Sequence, residues 1–219
     1  MTTQGEVFSW GVNFDGRCGH ESTEYGLQPT PRRIQESNNE IVRTASAGYM
    51  HILVVNTGGH VYAFGSNVIG QLGLGCGDCM IFSPEKVDAM CLFRIESVAA
   101  GSMHSLALTD AGQGFSWGYN EFYQLSHPIG CRSENGHVKV CGLDDVHVPV
   151  IIAGGTQSGA LSASGILFTR GFRFHGSLGH DEVTTQQSPK KILRPTPAVA
   201  VSIDSMHGLA ITSNGNVYA

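Results

Sequence analysis

The chain has 219 residues, of which 41% are hydrophobic and 14% charged, a balance that can bury the core of one or two domains. Its formal net charge of −5 provides no general basic field for phosphates, so nucleic acid is not the expected direct partner. No apolar run reaches the about 18 residues that a membrane-spanning helix needs, and no membrane insertion is expected. Six irregularly spaced cysteines indicate a reducing intracellular compartment rather than a disulfide scaffold.

Glycine is abundant, with 29 residues spread along the chain, which favours many tight turns between short strands. One glycine-led segment with an apolar and aromatic centre recurs four times, and a fifth copy begins before the chain stops. The copies lie at residues 5–11, 59–65, 112–118, 165–171 and 215–219. Their leading glycines are separated by 54, 53, 53 and 50 residues, and this period predicts repeated structural units.

Three other sequence motifs recur with the same period as this segment. A turn motif lies at 16–19, 70–73, 123–126 and 176–179. A four-residue segment that usually begins with proline lies at 31–34, 84–87, 137–140 and 189–192. A corner motif lies at 47–51, 100–104, 153–157 and 203–207. Within each unit, apolar residues alternate at period two or form short runs, which predicts about four short strands and no long helix. The sequence therefore predicts an all-β fold, a β-propeller with four-stranded blades of about 53 residues.

We expect a single propeller arc over residues 5–219. Its blades are predicted at 5–58, 59–111, 112–164 and 165–214, with the first strand of a fifth at 215–219. Such an incomplete arc has open edges, and Ala219 stops inside a strand, so we expect the chain to be a fragment of a longer protein. Trp10 and Trp117 occupy equivalent strand positions and are expected in the blade core.

The corners supply the candidate site. His51, His104 and His207 share one corner position, which Gln157 takes in the third unit. We expect these four side chains to be structural and to bond neighbouring backbone, because an amide can replace such a bond but cannot replace an acid or base. The variable corner positions form the expected partner-binding face, since a repeat scaffold varies where it meets another molecule. They are Tyr49, Met50, Ser102, Met103, Thr156, Ser205 and Met206.

No catalytic residue, cofactor or metal site is predicted. The sequence holds no nucleophile and base motif, phosphate loop or two-carboxylate signature, so covalent catalysis is not expected. Cys76 and Cys79 have the spacing of a zinc or redox pair, but no second pair accompanies them. Cys18 is expected to be a small buried residue. The charged pairs at 32–33 and 190–191 are expected on the solvated surface, and the pair at 144–145 in a turn.

Together these landmarks resemble the repeat of the regulator of chromosome condensation family over essentially the whole chain. Members usually close a ring of seven blades, and the founding exchange factor uses acidic and histidine side chains on the face of the ring where the corners open to loosen the nucleotide of a small GTPase. The resemblance implies protein partners, with guanine nucleotide exchange on a GTPase as the most specific function. The alternative is a non-catalytic adaptor or structural propeller. The variable corner positions hold no acid, and Asp204 replaces a corner glycine, which argues against the standard form of exchange.

A narrower similarity concerns residues 16–19, 122–126 and 153–156 in successive units. Their order is similar to the exchange-factor-like branch associated with the Williams–Beuren chromosomal region, which is mitochondrial. Residues 1–4 lead directly into a strand-like segment, so no signal or transit peptide is expected in this chain. The expected compartment is the cytoplasm or nucleus, or the mitochondrion if the narrower similarity holds.

Overall fold

The computed structural model describes residues 2–21, 26–34, 41–75, 77, 79–125, 133–173, 176–181, 184–194 and 197–219, with the backbone alone at 133–135. Within these ranges the strands β1 to β17 form five antiparallel sheets, here called sheets I to V in chain order. Three of them have four strands in simple sequential order, which is the topology of propeller blades. The predicted all-β propeller fold is therefore confirmed.

The complete blades are sheets II, III and IV. Sheet II contains β3 (Val42–Ala47), β4 (His51–Asn56), β5 (Val61–Ser66) and β6 (Met80–Lys86). Sheet III contains β7 (Ile95–Ala100), β8 (His104–Thr109), β9 (Gly114–Tyr119) and β10 (Ser133–Lys139). Sheet IV contains β11 (Val150–Ala153), β12 (Gln157–Leu161), β13 (Leu167–Gly171) and β14 (Gln186–Lys191). A short 3-10 helix, Asp88–Met90, connects sheets II and III.

The two end sheets have fewer strands. Sheet I pairs β1 (Phe8–Val12) with β2 (Leu27–Arg33). Sheet V contains β15 (Ala198–Ile203), β16 (Gly208–Thr212) and β17 (Val217–Tyr218). The outer faces of both sheets carry exposed apolar side chains, such as Trp10 and Val217.

The sheets are offset from the sequence repeats by two strands. The unit 59–111 supplies β5 and β6 to sheet II and then β7 and β8 to sheet III. The offset arises because β4 and β5 form a hairpin, in which the Gly59 amide donates to the Asn56 carbonyl at 3.0 Å and Gly59 adopts a φ of +83°. The sheets therefore span 42–86, 95–139 and 150–191 rather than the glycine-to-glycine limits expected from the sequence, and each repeat joins two blades.

The hydrophobic core lies between successive sheets, with β3, β7, β11 and β15 innermost and next to one another. The largest cluster packs sheet II against sheet III and includes Leu53, Val98 and Trp117, the last with no exposed surface. Smaller clusters join sheet I to sheet II and sheet IV to sheet V. Because each sheet packs on its neighbours, burial holds the arc together across the repeats.

Gly118, the glycine that ends the repeated strand of the third unit, is required by its backbone conformation and by the space around it. At Gly118 the φ is +93°, and a Cβ atom would lie 2.7 Å from the carbonyl oxygen of Met103 in the corner turn. The ladder between β9 and β10 also shifts register beside this residue. Glycine is needed here because the corner turn of the same sheet packs directly on the strand.

Candidate interaction face

The corner turns lie side by side on one face of the arc. Each turn joins the innermost strand of a sheet to the second strand, at the same end of sheets II, III, IV and V. The Tyr49 amide donates to the Gly101 carbonyl at 3.2 Å, and the Ser102 amide donates to the Gly154 carbonyl at 3.3 Å, so each turn bonds the next one. The corner face is the set of predicted partner-binding residues on these turns. It comprises Tyr49, Met50, Ser102, Met103, Thr156, Ser205 and Met206.

All seven residues of the corner face reach solvent. Tyr49 and Met206 are the most open, with 66% and 61% of their surface exposed. Ser205 is also exposed, and the other four residues are partly exposed. The structure thus brings together on one accessible surface the residues that the sequence singled out, and the side chains it offers are mainly apolar or hydroxyl-bearing.

The corner histidines lie beneath this face and connect successive sheets. His51 is fully buried, and its Nε2 lies 2.9 Å from the Ser105 hydroxyl on sheet III. The Ser105 hydroxyl in turn donates to the carbonyl of Gln71 at 2.6 Å, and Trp117 Nε1 donates to the same carbonyl at 2.9 Å. His104 repeats the arrangement one sheet further along, with its Nε2 at 3.0 Å from the hydroxyl of Ser158. Two chains of polar contacts therefore join three blades.

The electrostatics of these histidines suit structure rather than proton transfer. Desolvation lowers the pKa of His51 to about 4. The pKa of His104 is lowered to about 3, mainly by desolvation and secondly by the positive charge of the nearby Arg170. The Ser105 hydroxyl proton is directed to Gln71, so the His51 Nε2 must carry the hydrogen and act as the donor. Both rings are consequently neutral at physiological pH, and neither opens onto the face as an acid or base.

This network differs in part from the sequence-based expectation. The corner histidines were expected to bond neighbouring backbone, whereas His51 and His104 bond serine hydroxyls of the following sheet, because that sheet places a serine opposite each ring. Gln157 is also fully buried, and its Nε2 donates to the Ser177 hydroxyl at 2.5 Å and to the Ser205 carbonyl at 3.2 Å. His207 is exposed, because among the described residues no sheet packs beyond sheet V.

The prediction that both tryptophans lie in the core is correct for Trp117 and wrong for Trp10. Trp117 is completely buried against Gly73 and Gln71 of the preceding repeat. Trp10 is 62% exposed, since within the described residues no sheet precedes sheet I to cover it. Burial at this strand position therefore depends on the neighbouring blade and not on the residue type alone.

Arg17 fixes one end of the corner face, and sequence reasoning missed it. Its guanidinium pairs with Asp15 through two contacts of 2.7 Å, and its Nη1 donates to the Tyr49 carbonyl at 2.7 Å. The guanidinium carbon also lies 5.7 Å from the centre of the Tyr49 ring. Asp15 is the largest cause of the raised pKa of Arg17, through their hydrogen bond. The exposed Tyr49 is thus held by a paired cation from the neighbouring sheet.

Repeated asparagines organise the turns at the edge of this face and were also missed. The side-chain oxygens of Asn13, Asn67 and Asn120 accept the amides of the residues five positions later at 2.9, 2.9 and 3.0 Å. The available signal was their fixed place, two residues after the closing glycine in the first three units. Tyr123 stands where the other turns have glycine and adopts a φ of +62°, a conformation that costs a side-chain-bearing residue free energy.

The cysteine motif of the sequence is described only in part. Cys76 falls outside the described residues, and Cys79 accepts a 3.5 Å hydrogen bond from Asn67. Cys18 is buried as predicted, and this burial raises the pKa of its thiol. Within the part of the chain that the structure describes, no group of three or more His, Cys, Asp or Glu side chains could hold a metal ion, and no helix is long and apolar enough to span a membrane.

The charged pairs lie where the sequence placed them. Arg32 and Arg33 are exposed on the outer strand of sheet I, and Arg33 pairs with Glu6 at 3.0 Å. The pair at 190–191 occupies the equivalent strand of sheet IV. Asp144 lies in a turn and forms a 2.6 Å ion pair with Lys139.

These features define a class of protein, a repeat propeller whose blades are joined across buried corners and whose corner turns form one exposed face. Comparison with known sequences then gives the family. The Regulator of chromosome condensation (RCC1) repeat matches residues 4–55 and 58–108, and a second form of that repeat matches residues 95–124. The chain belongs to the regulator of chromosome condensation repeat family.

Several characterised proteins are similar over this length. The chain is 33% identical to the E3 ubiquitin-protein ligase HERC2 of Homo sapiens over 100% of its length, although this covers 4% of that protein. It is 30% identical to the ultraviolet-B receptor UVR8 of Arabidopsis thaliana over 97% of its length and 48% of the receptor. It therefore spans at most about half of these relatives.

Solved structures show the same fold. Human WBSCR16 matches with a TM-score of 0.88 at 21% identity, covering 96% of this chain and 54% of that one. Prp20p from Saccharomyces cerevisiae, described with its binding properties to Gsp1p and histones, matches with a TM-score of 0.82 at 24% identity, covering 98% and 53%. At these identities the likeness establishes the fold alone.

Proposed function

We propose that this chain is a protein-interaction propeller whose corner face binds a protein partner. The observation that carries the proposal is the contrast between buried and exposed corner positions. The buried residues His51 and His104 repeat one bonding pattern, while the accessible turn position two residues before each of them changes from Tyr49 to Ser102. A scaffold that conserves its internal bonds and varies its exposed turns is suited to recognition of another macromolecule.

The most specific form of this function is exchange-factor-like regulation of a small GTPase. Family membership supports it, as does the description of Prp20p together with binding to Gsp1p and histones. The alternative is an adaptor or structural propeller that binds protein without affecting a nucleotide. The absence of acidic side chains at the seven corner-face positions favours this alternative over the standard form of exchange.

The two forms differ in one measurable quantity, the rate of nucleotide release. Purified small GTPases loaded with a fluorescent guanine nucleotide should be mixed with this chain and, separately, with the full-length protein that contains it. Accelerated release from one GTPase, abolished by aspartate at Met50 and Met103, supports exchange through the corner face. Unchanged release from every GTPase, together with retained binding of a protein partner, supports the adaptor.

The compartment is part of the same proposal. The order of turn variants at residues 16–19, 122–126 and 153–156 supports placement in the mitochondrial exchange-factor-like branch, whereas cytoplasmic or nuclear location fits the wider family. Imaging of the tagged full-length protein against mitochondrial and nuclear markers separates these locations. A purely cytoplasmic or nuclear signal would contradict the mitochondrial assignment.

A further inference from the structure

A cavity separates sheet III from sheet IV. Its volume is about 240 Å³, which is just below the roughly 300–1,000 Å³ typical of sites for drug-sized ligands. Much of the wall is apolar and comes from both sheets, with Leu106, Leu108 and Phe115 on one side and Ile151 and Phe168 on the other. The interface between sheets II and III has instead a continuous hydrophobic cluster in which Trp117 takes part.

The residue that replaces this tryptophan in the next repeat is Arg170. Arg170 lies on β13 opposite Ser158, lines the cavity and is 3% exposed. Its Nη1 has no hydrogen-bond partner, and within the described residues no carboxylate forms an ion pair with its guanidinium. The pKa of Arg170 falls to about 9 through desolvation, so the group is still cationic at neutral pH.

A buried cation without a counterion is costly, because it has lost hydration and gained no opposite charge. The neighbouring hydroxyls cannot provide one, and they are already engaged as donors. Ser158 donates to the Gln124 carbonyl at 2.8 Å, and Thr169 donates to the Leu178 carbonyl at 2.7 Å. The guanidinium is therefore the free hydrogen-bond donor that the described residues offer to a guest at this end of the cavity.

A second pair of charged residues in the cavity wall is exposed and forms its own ion pair. Lys139 and Asp144 also line the cavity, with about half of each side chain exposed, and they pair with each other at 2.6 Å. The cavity wall thus carries an exposed ion pair and a buried cation without an ion-pair partner among the described residues. Its apolar wall and buried planar cation match a small ligand that has one carboxylate and an apolar body.

We propose that this cavity is a binding site for a small apolar monocarboxylate, whose carboxylate pairs with Arg170 and whose body packs between sheets III and IV. Benzoate is a suitable probe because it has both parts, and benzamide is its neutral counterpart of nearly the same shape. A free small molecule is favoured over the side chain of a protein partner because the guanidinium is buried within the arc and is not on the corner face.

The test measures binding of benzoate, hexanoate, benzamide and inorganic phosphate to the 219-residue chain by titration calorimetry and by the thermal unfolding midpoint. We expect a carboxylate to bind and raise the midpoint, with benzamide at least tenfold weaker. Comparison of the two probes on the unaltered chain requires no variant and so does not depend on the folding of one.

Variants then locate the site. Arg170→Leu should weaken carboxylate binding at least tenfold, and Arg170→Trp, which restores the residue type of Trp117, should abolish binding by filling the cavity. Arg94→Leu is the matched control, since Arg94 is exposed and does not line the cavity, and it should leave binding unchanged. Equal binding of benzoate and benzamide, tighter binding of phosphate, binding unaffected in Arg170→Leu, or no binding of either carboxylate would overturn the proposal.

Discussion

The buried corner histidines predict a specific dependence of stability on pH. Folding lowers the pKa of His51 to about 4 and that of His104 to about 3, while an unfolded chain has histidine pKa values near 6.5. Below 6.5 the unfolded state therefore binds protons that the folded state does not. The two histidines therefore cost no stability above pH 6.5, and the free energy of unfolding falls as the pH drops from 6.5 towards their folded-state pKa values.

The size of the effect follows from these pKa values. Between pH 7 and pH 5, each histidine should remove about 2 kcal/mol from the free energy of unfolding, or about 4 kcal/mol for both. His51→Gln should reduce the pH-dependent loss by about 2 kcal/mol, the contribution of one histidine, because glutamine can donate to Ser105 without titrating, as Gln157 donates at the equivalent corner. At pH 7 the same variant should change stability little.

The assay is urea unfolding at several pH values between 7 and 5, at a protein concentration where one species sediments. The difference between the parent and His51→Gln isolates the histidine from the carboxylates, which titrate in both proteins. His207→Gln is the matched control, since the same substitution is made at an exposed corner. An identical pH dependence in the parent and His51→Gln would refute the assignment of His51 as a buried neutral donor.

Three further outcomes are expected. Trp117→Ala should lower the free energy of unfolding by about 3–5 kcal/mol. Trp10→Ala, at the exposed equivalent position, should change it by at most about 0.5 kcal/mol. Equal effects of the two substitutions in urea unfolding would contradict the packing. Tyr123→Gly should stabilise the chain by about 1 kcal/mol, because glycine adopts the positive φ of this position without strain. Gly176→Ala should destabilise the chain by a similar amount through its positive φ alone, because a Cβ atom there meets no atom within 4 Å. Changes in stability of the opposite signs would contradict the turn geometry. The isolated chain should self-associate through the exposed apolar faces of sheets I and V, and a stable monomer at all concentrations in sedimentation would contradict this.

The fold could be predicted from the sequence because the same pattern of strand and turn residues recurs in each repeat. The glycine at position 118 is a good example, since its positive φ recurs at Gly11, Gly65 and Gly171. The close corner carbonyl that excludes a Cβ atom at Gly118 is also present at Gly65 and Gly171. The offset between repeats and sheets could not be predicted this way, because a period gives the length of a unit but not which strands pair. Here the hairpin at Gly59 decides the pairing.

The corner face was predictable as a set of positions, but its supports were not. The link from His51 to Ser105 spans two sheets, and a contact between residues 54 apart leaves no local pattern to find. Burial at the tryptophan position was misjudged for the same reason, because Trp10 needs a neighbouring sheet to cover it. Arg170 occupies the strand position of Trp117 in the next repeat, yet the burial of its Nη1 without a partner appears only when sheets III and IV are placed together.

The most direct test of the proposed corner face is partner binding by Met50→Asp combined with Met103→Asp. Two aspartates at this surface would place unpaired charge in the bound interface, so binding should be lost while folding is retained. The control combines Leu92→Asp with Leu193→Asp, two residues that are 89% and 77% exposed at the opposite ends of the sheets, and it should bind as the parent does. Matched circular dichroism and urea midpoints establish that each protein is folded. Binding of the same protein partner by the folded Met50 and Met103 variant, at parental affinity, would contradict the account.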